Sequence, residues 1–447
     1  MKSWLTTLLL FILGILTAQT PLSLSDAVQR GLENNYQIRI ANNNVELAKS
    51  NDDWALAGRY PTVNLSLSPG VSYRNNTNPA SIVSSSSITS YNVTPGANLG
   101  WTIFNGHRVR FTKDQLEQQV NLSEGQLKLQ VENSVQQITQ AYYNALVQQE
   151  RIDVLEQVLG LSRDRIEYQQ VRREYGQAGT FDEIQAKDAY LNDSTNLLLQ
   201  QVAYENAIRN LLLAMGEDDP GLQVSLTDQL NYEGKILDRE ALTQRLLAAN
   251  RSLQNLLINR DLANLNTKLA ETANQPTVNL NAGLSYAIDV QTGTQTFDFG
   301  GDQPPRDQDL PGIAARTLQG NVGFSVGYLL YDGGARKRRI QTAQLQEINA
   351  QLNYESNKQN LVMLLNNTLS TYDNQVSVLQ VTDQLITNAQ ANLSVAEERF
   401  KGGIINSFDY RQVQLSYINA TFQRLSALFN LKNTETEILR LTGQIVP

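Results

Sequence analysis

The chain is an internal duplication, and its two copies keep one spacing in some places and another elsewhere. Pro61-Thr-Val-Asn-Leu65 returns as Pro276-Thr-Val-Asn-Leu280, 215 residues later, and Asn35 and Asn250 share that offset. Phe104-Asn105-Gly106 against Tyr331-Asp332-Gly333, Thr180-Phe181-Asp182 against Ser407-Phe408-Asp409, and Gly216 against Gly443 are all 227 apart. A constant offset from Phe104 to Gly216 means that this span has equal length in both copies, as parts of fixed reach require. The change from 215 to 227 places an insertion of 12 residues between Leu65 and Phe104 in the first copy's frame. Loops absorb insertions cheaply and rods do not.

Within the variable stretch the pattern has period two. Val63, Leu65, Leu67, Val71 and Tyr73 alternate with Asn64, Ser66, Ser68, Gly70 and Ser72, and Val93, Ala97, Leu99, Trp101 and Ile103 form a second such run. The second copy repeats it with Val278 to Ile288 and Val322 to Leu330. This alternation predicts strands over 62–74, 92–104, 277–289 and 318–331, each with one apolar and one Asn/Ser/Thr/Gly face. Their lengths suit the ~9 to 11 tilted residues that cross an outer membrane. Tyr60, Tyr73, Trp101, Phe104, Tyr328 and Tyr331 are placed for aromatic girdles. The intervening stretches Arg74 to Asn92 and Asp289 to Gln319 are expected to be extracellular loops. Four strands in lipid leave open edges and are too few to close a barrel, so protomers must share one.

Elsewhere the period is helical. Leu116, Val120, Leu127, Val131, Val135, Ile138, Tyr142 and Ala145 lie on a proline-free run that predicts one helix over 106–173, with a counterpart over 334–401. Each would be roughly 100 Å long at 1.5 Å per residue. Shorter helices are expected at about 24–57, 182–215, 239–271 and 409–442, with Gly216 and Gly443 as C-caps. Two short helices end to end match one long helix, so each copy can build a wall of uniform height with polar residues facing water on both sides. A segment over 217–235, containing Asp218-Asp219-Pro220-Gly221, breaks the pattern between the copies.

Lys2 followed by an apolar run from Trp4 to Leu16 and the small residues Thr17 and Ala18 predicts a secretory leader over 1–18. The resulting division is 1–18 leader, 19–232 first structural repeat and 233–447 second structural repeat. The absence of cysteine excludes disulfides, thiolate metal sites and a lipid-carrying N-terminal cysteine. A net charge of −8 argues against a nucleic-acid partner. One histidine, His107, and no cysteine leave the common nucleophile and zinc constellations without members, so no catalytic residue, cofactor or metal is expected. His107 reads as an ordinary interface residue. The basic residues Arg108, Arg110, Lys113 and Arg336 to Arg339 follow both barrel strands, at headgroup level or as solvated helix ends.

The order helix, Pro, strand, loop, strand, Asn/Asp-Gly, long helix, tight turn, short helix, given twice behind a leader, resembles the TolC family of outer-membrane efflux proteins. The resemblance rests on the joints at Pro61 and Pro276, on Phe104-Asn105-Gly106 and Tyr331-Asp332-Gly333-Gly334, and on the turns 172–182 and 399–409. It implies a mainly α fold with membrane β: a long, coiled-coil-like α-helical barrel continuing into a transmembrane β-barrel shared by a homotrimer, with four strands per protomer. It further implies docking to a periplasmic adaptor (membrane fusion) protein and an inner-membrane pump. The chain would then be a passive export duct, for efflux or type I secretion, in the outer membrane of a Gram-negative bacterium, with outer-membrane lipid as its surroundings. The competing reading is a surface coiled coil, structural or adhesive, without a pore; it has no use for four alternating strands. Cargo is left open, because a conduit making few specific contacts carries no substrate signature.

The turn-back points supply the candidate site. Asp182 and Asp409 stand at matching places, where a carboxylate ring in an oligomer would favour cations. Each also lies in a helical first turn, where a negative charge is stabilised locally, and Thr180 with Glu183 matches a capping box. A second acid one turn on, frequent in the family, is Gln412 here. Arg172 and Arg399 precede the turns and are candidate partners in the polar contacts that the resemblance implies for closure. Gly176, Thr180 and Phe181, with Gly403, Ser407 and Phe408, are the expected adaptor-docking tips. Pro61, Pro276, Gly106 and Gly333 are the expected helix–strand joints.

Overall fold

A computed structural model of the chain describes residues 20–219, 221–232, 234 and 237–446. The leader expected over 1–18 lies outside the described residues, as do 220, 233 and 235 of the expected linking segment, and 236 just after it. In chain order the elements are β1 (Thr20–Leu22), α1 (Leu24–Asn34), α2 (Tyr36–Asn51), β2 (Thr62–Thr77), β3 (Val83–Phe104), α3 (Arg108–Glu174), α4 (Thr180–Met215) and β4 (Val224–Leu226). These are followed by α5 (Arg239–Ala249), α6 (Arg251–Glu271), β5 (Thr277–Phe297), β6 (Arg306–Gly327), α7 (Ala335–Lys401) and α8 (Ser407–Leu441). The long helices α3 and α7 are each 67 residues.

The chain divides into two compact units, one built from 1–46, 122–258 and 352–447, the other from 47–121 and 259–351. The first unit holds the apolar cores. Leu22, Ile138, Tyr142, Leu211, Leu212 and Met215 form one cluster, and Leu246, Leu365, Leu369, Leu428 and Leu431 form its counterpart in the second copy. A third gathers Val158, Leu393, Phe400 and Tyr410, with Phe400 and Tyr410 stacked at 4.8 Å. Near the first cluster, β1 and β4 pair in parallel, and the Tyr142 hydroxyl donates to the Leu22 carbonyl at 2.9 Å. Three-residue strands joined across the copy are too short to show a period.

Asn35 and Asn250 interrupt what periodicity presents as single helices. The Asn35 amide donates to the Ala214 carbonyl at 2.8 Å while its oxygen accepts from the Gln37 and Ile38 amides. Asn250 does the same in its copy, donating to Leu441 at 3.0 Å and accepting from the Leu253 amide at 3.0 Å. One side chain therefore serves the start of one helix and the end of another. Gly216 and Gly443 lie beside these links at φ 76° and 67°, and a Cβ on either would sit 2.8 Å from a backbone oxygen, of Asn34 or Ala249. Left-handed backbone and close approach together leave room for glycine only.

The second unit carries a four-stranded sheet in the order β2-β3-β5-β6, antiparallel throughout, so the inner strands come from different copies. Its register aligns Val63, Leu99, Ala282 and Val322 across one face, and next to them Trp101, Leu280 and Phe324. The other face aligns Asn64, Asn98, Gly283 and Asn321. The apolar face is bare in the single chain, with Leu65 84 % and Val322 75 % exposed.

Two boundaries differ from those that period alone predicts. The expected loops are largely strand: β2 and β3 continue to a turn at 78–82, and β5 and β6 to a turn at 298–305. There Ser85 to Thr89 pair with Thr292 to Thr296, polar on both faces apart from Ile88, so cross-strand bonding rather than amphipathy carries the strand. At the other end β6 stops at Gly327, paired with Thr277, and Tyr328 to Tyr331 lie beyond it. The next partner would be Pro276, which has no N–H to donate.

Candidate functional site

Both long helices end in the same turn. In the first copy the Gly176 amide donates to Arg173 and the Gln177 amide to Arg172; in the second, Gly403 donates to Phe400 and Ile404 to Arg399. The glycines stand at φ 70° and 69°. Arg172 and Arg399 thus hold matching backbone positions, their carbonyls accepting the bonds that close the helix ends. Phe181 and Phe408 project from the starts of α4 and α8, 74 % and 61 % exposed.

The side chains at these matching positions do different things. The Arg172 guanidinium donates to the Gln177 carbonyl at 3.2 Å and lies over the Tyr168 ring, inside its own turn. Arg399 and Asp409 line one cavity of about 480 Å³, together with Asn388, Asn392, Ile405 and Val413. The Asp182 carboxylate accepts from the Gly179 amide at 3.1 Å, so Gly179 stands at the N-cap and Thr180 is the first helical residue. The capping box read from Thr180 and Glu183 is therefore shifted by one residue. In the second copy Asn406 is the N-cap and accepts from the Asp409 amide at 2.8 Å, leaving the Asp409 carboxylate free of that role. Among the described residues no hydrogen bond or ion pair joins Asp182 to Asp409, or Arg172 to either. Gly106 and Gly333, at φ 66° and 68°, lie where β3 and the β6 end pass into α3 and α7, and Pro61 and Pro276 directly precede β2 and β5.

Two groups of charged residues here escape a sequence reading. Glu183 is buried, paired with Lys187 at 2.7 Å and with Arg173. Its Lys187 hydrogen bond, with the Arg173 charge, holds its carboxyl below the usual range. Further along, Asp193 of α4 accepts both arms of the Arg411 guanidinium from α8, at 2.7 and 2.5 Å, and the Ser162 hydroxyl from α3 at 2.6 Å. Arg165 of α3 lies in the same buried group, and burial, with Arg411 nearby, pushes it down to about 10. One buried carboxylate thus faces one buried guanidinium, Arg165, and one half-buried, Arg411. Positions 227 away from these four hold Ala389, Asn392, Ala420 and Ile184, so the duplication offers no hint of them.

Among the described residues no helix is long and apolar enough to cross a membrane, and no group of three His, Cys, Asp or Glu side chains is placed to hold a metal ion. Two copies of a long and a short helix, with a four-stranded sheet bare on its apolar face, are the fold of the outer-membrane channels. The Campylobacter jejuni CmeC outer membrane channel superposes with a TM-score of 0.76 over 94 % of this chain and 85 % of its own, at 16 % identity. The open state of the Neisseria gonorrhoeae MtrE channel gives 0.68 over 94 % and 89 %, at 18 % identity. The chain belongs to the outer membrane efflux protein family, whose model matches residues 27–217 and 242–444. It is 23 % identical over 245 residues to Escherichia coli outer membrane protein TolC, which is 54 % of this chain and 47 % of TolC. The match thus spans about half the length of that relative.

Proposed function

We propose that this chain is the outer-membrane channel of a tripartite efflux or type I secretion system, a passive duct from a periplasmic adaptor and inner-membrane pump to the cell exterior. The observation that carries the reading is the sheet: four strands, one continuous bare apolar face, and two unpaired edges at β2 and β6. In hydrocarbon such edges must find partners, and the partners available are the edges of further copies. Three copies would close a barrel of twelve strands, and the helical residues would extend into the periplasm. The divisions 1–18, 19–232 and 233–447 are proposed as leader and two repeats of this protomer. A passive duct needs no catalytic residue and no cofactor.

In this reading the turns form the periplasmic entrance. Asp182 and Asp409 supply its negative charge, with Asp409 the stronger candidate because its carboxylate is not used in capping. Gly176, Thr180 and Phe181, with Gly403, Ser407 and Phe408, form the tips that meet the adaptor. Arg399, open to the cavity that Asp409 also lines, is better placed than Arg172 for a closure contact. The test is to fractionate membranes carrying the full chain, follow migration on gels with and without heating, and record conductance in planar bilayers. An outer-membrane, heat-dissociated oligomer with cation-preferring conductance is expected, and Asp409→Lys should reduce that preference. A water-soluble monomer without conductance would end the channel reading, and an unchanged preference in the variant would remove Asp409 from the entrance.

A further inference from the structure

A cavity of about 600 Å³ opens where β3 passes into α3, and the candidate site makes no use of it. Its walls include Trp54 and Trp101, and its rim carries both basic and acidic side chains. Trp101 stands near the end of the apolar row of β3, one step before Ile103, and its indole N–H donates to the Arg59 carbonyl at 2.8 Å. The Arg59 guanidinium lies 4.8 Å from the Trp54 ring centre. Lys113 is already engaged, bonded to Asp52 at 2.6 Å. Arg59 and Arg110 have no carboxylate partner among the described residues. Asp114 and Glu117 follow Arg110 by roughly one and two turns of α3, ~6 and ~10 Å further from the strand.

We propose that this cavity binds the headgroup of a zwitterionic aminophospholipid, with Arg59, Arg110 and His107 around the phosphate and Asp114 and Glu117 accepting hydrogen bonds from the primary ammonium. The inference rests on the membrane reading of the sheet, since Trp101 and Ile103 would then face acyl chains. Charge order favours this ligand: with Lys113 taken by Asp52, the cations Arg59 and Arg110 adjoin the strand end, Asp114 and Glu117 lie one and two turns beyond, and a phosphate joined to an amine by two carbons spans the first interval. A primary ammonium suits the carboxylates because it donates N–H bonds. A quaternary ammonium would instead need aromatic faces, and the Trp54 face is taken by Arg59 and Lys113. A second copy of the chain is a poorer occupant. β3 is an inner strand, flanked by β2 and β5, so copies joined edge to edge meet at β2 and β6. His107 adds to the case: it holds φ 67° where the matching residue of the second copy is Gly334. A side chain is thus kept in a conformation that glycine accepts more readily.

The chain has three tryptophans, Trp4 in the expected leader and the two that line this cavity. With Trp4→Phe, the emission of the full-length chain in detergent micelles reports on the cavity alone. Dihexanoyl phosphatidylethanolamine, phosphatidylcholine and phosphatidylglycerol, and inorganic phosphate, are each titrated against it. A saturable change with phosphatidylethanolamine is expected at about tenfold lower concentration than with the other lipids. Arg110→Gln should weaken all three lipids about tenfold; Asp114→Asn should weaken only phosphatidylethanolamine, and carries the test if the arginine variant does not fold. Equal responses to all lipids, a match by inorganic phosphate, silence toward every lipid as a covering protomer would impose, or no change in Asp114→Asn would each overturn the assignment. Conductance of the same preparation separates the two readings: a working channel without lipid discrimination sinks only this inference, whereas a preparation forming no channel sinks the membrane reading beneath it.

Discussion

The two turn regions, 172–182 and 399–409, share a backbone and diverge in charge. Their helix ends close through the same bonds around Gly176 and Gly403, but Asp182 caps its helix while Asp409 leaves that work to Asn406. Glu183 is buried in a charge pair in the first copy, and its counterpart in the second is Tyr410, stacked on Phe400. The group formed by Ser162, Arg165, Asp193 and Arg411 has no counterpart at all. Duplication has preserved what the chain needs in order to turn, whereas the charged residues packed around the turns differ between the copies.

The largest test of that contrast is Asp193→Ala. It strands the half-buried Arg411, and leaves the buried Arg165 with no carboxylate in its group. Removing one partner of a buried pair costs ~3 to 5 kcal/mol. The same change has nothing to remove at the matching Ala420. Thermal unfolding of Asp193→Ala should show a loss on that scale, and Asp193→Asn, which keeps an acceptor, a smaller one. A loss under about 1 kcal/mol, the range of exposed pairs, would mean that water reaches the group.

Asn35→Ala and Asn250→Ala probe the shared device instead. Each removes one side chain serving two helix ends, so ~1 to 2 kcal/mol is expected from either, and near-equal values from both. Unequal melting shifts would show that the copies differ at their links as well as at their turns. Asp182→Ala and Asp409→Ala bear on the turns with a smaller effect. The first loses its bond from Gly179 and should cost ~0.5 to 1 kcal/mol, while the second should stay within ~0.5 kcal/mol of the parent. Equal losses would place a structural duty on Asp409 and weaken it as an entrance residue.

How much of this was legible follows from which interactions are local. Period two marks Val63 to Tyr73 and Val278 to Ile288, because a strand with one apolar and one polar face must alternate. The repeated Asn35 and Asn250 were visible as a match, yet their role as breaks depends on Ala214 and Leu441, about 180 and 190 residues away in the chain. The strand extensions over 75–77, 83–91, 290–297 and 306–317 read as loops because polar residues on both faces give no amphipathic signal. Asp193 and Arg411 are 218 residues apart, in a charged helix population where most such pairs are solvated, and only packing makes them a pair. The turn glycines are legible because a left-handed residue is a local requirement; the charge partners of Glu183 and Asp193 are not, because they depend on which side chains packing brings together.

The smallest effect concerns acid. Lys187 and Arg173 hold the Glu183 carboxyl below its unfolded value, so Glu183 favours the folded state in full above the ordinary carboxylate range near 4.5. That contribution is lost as pH falls through the depressed folded value, because the unfolded chain takes up the proton first. Hydrogen exchange, corrected for intrinsic rate, should therefore show protection of 175–187 falling between pH 6 and pH 3. In Glu183→Gln the protection at pH 6 should already be reduced and should change less on acidification. The turn 402–409 has Tyr410 in place of the acid, so Glu183→Gln should leave its profile as it was. If the parent and Glu183→Gln acidify alike over 175–187, the charge pair does not distinguish the two turns, and their difference reduces to how Asp182 and Asp409 are used.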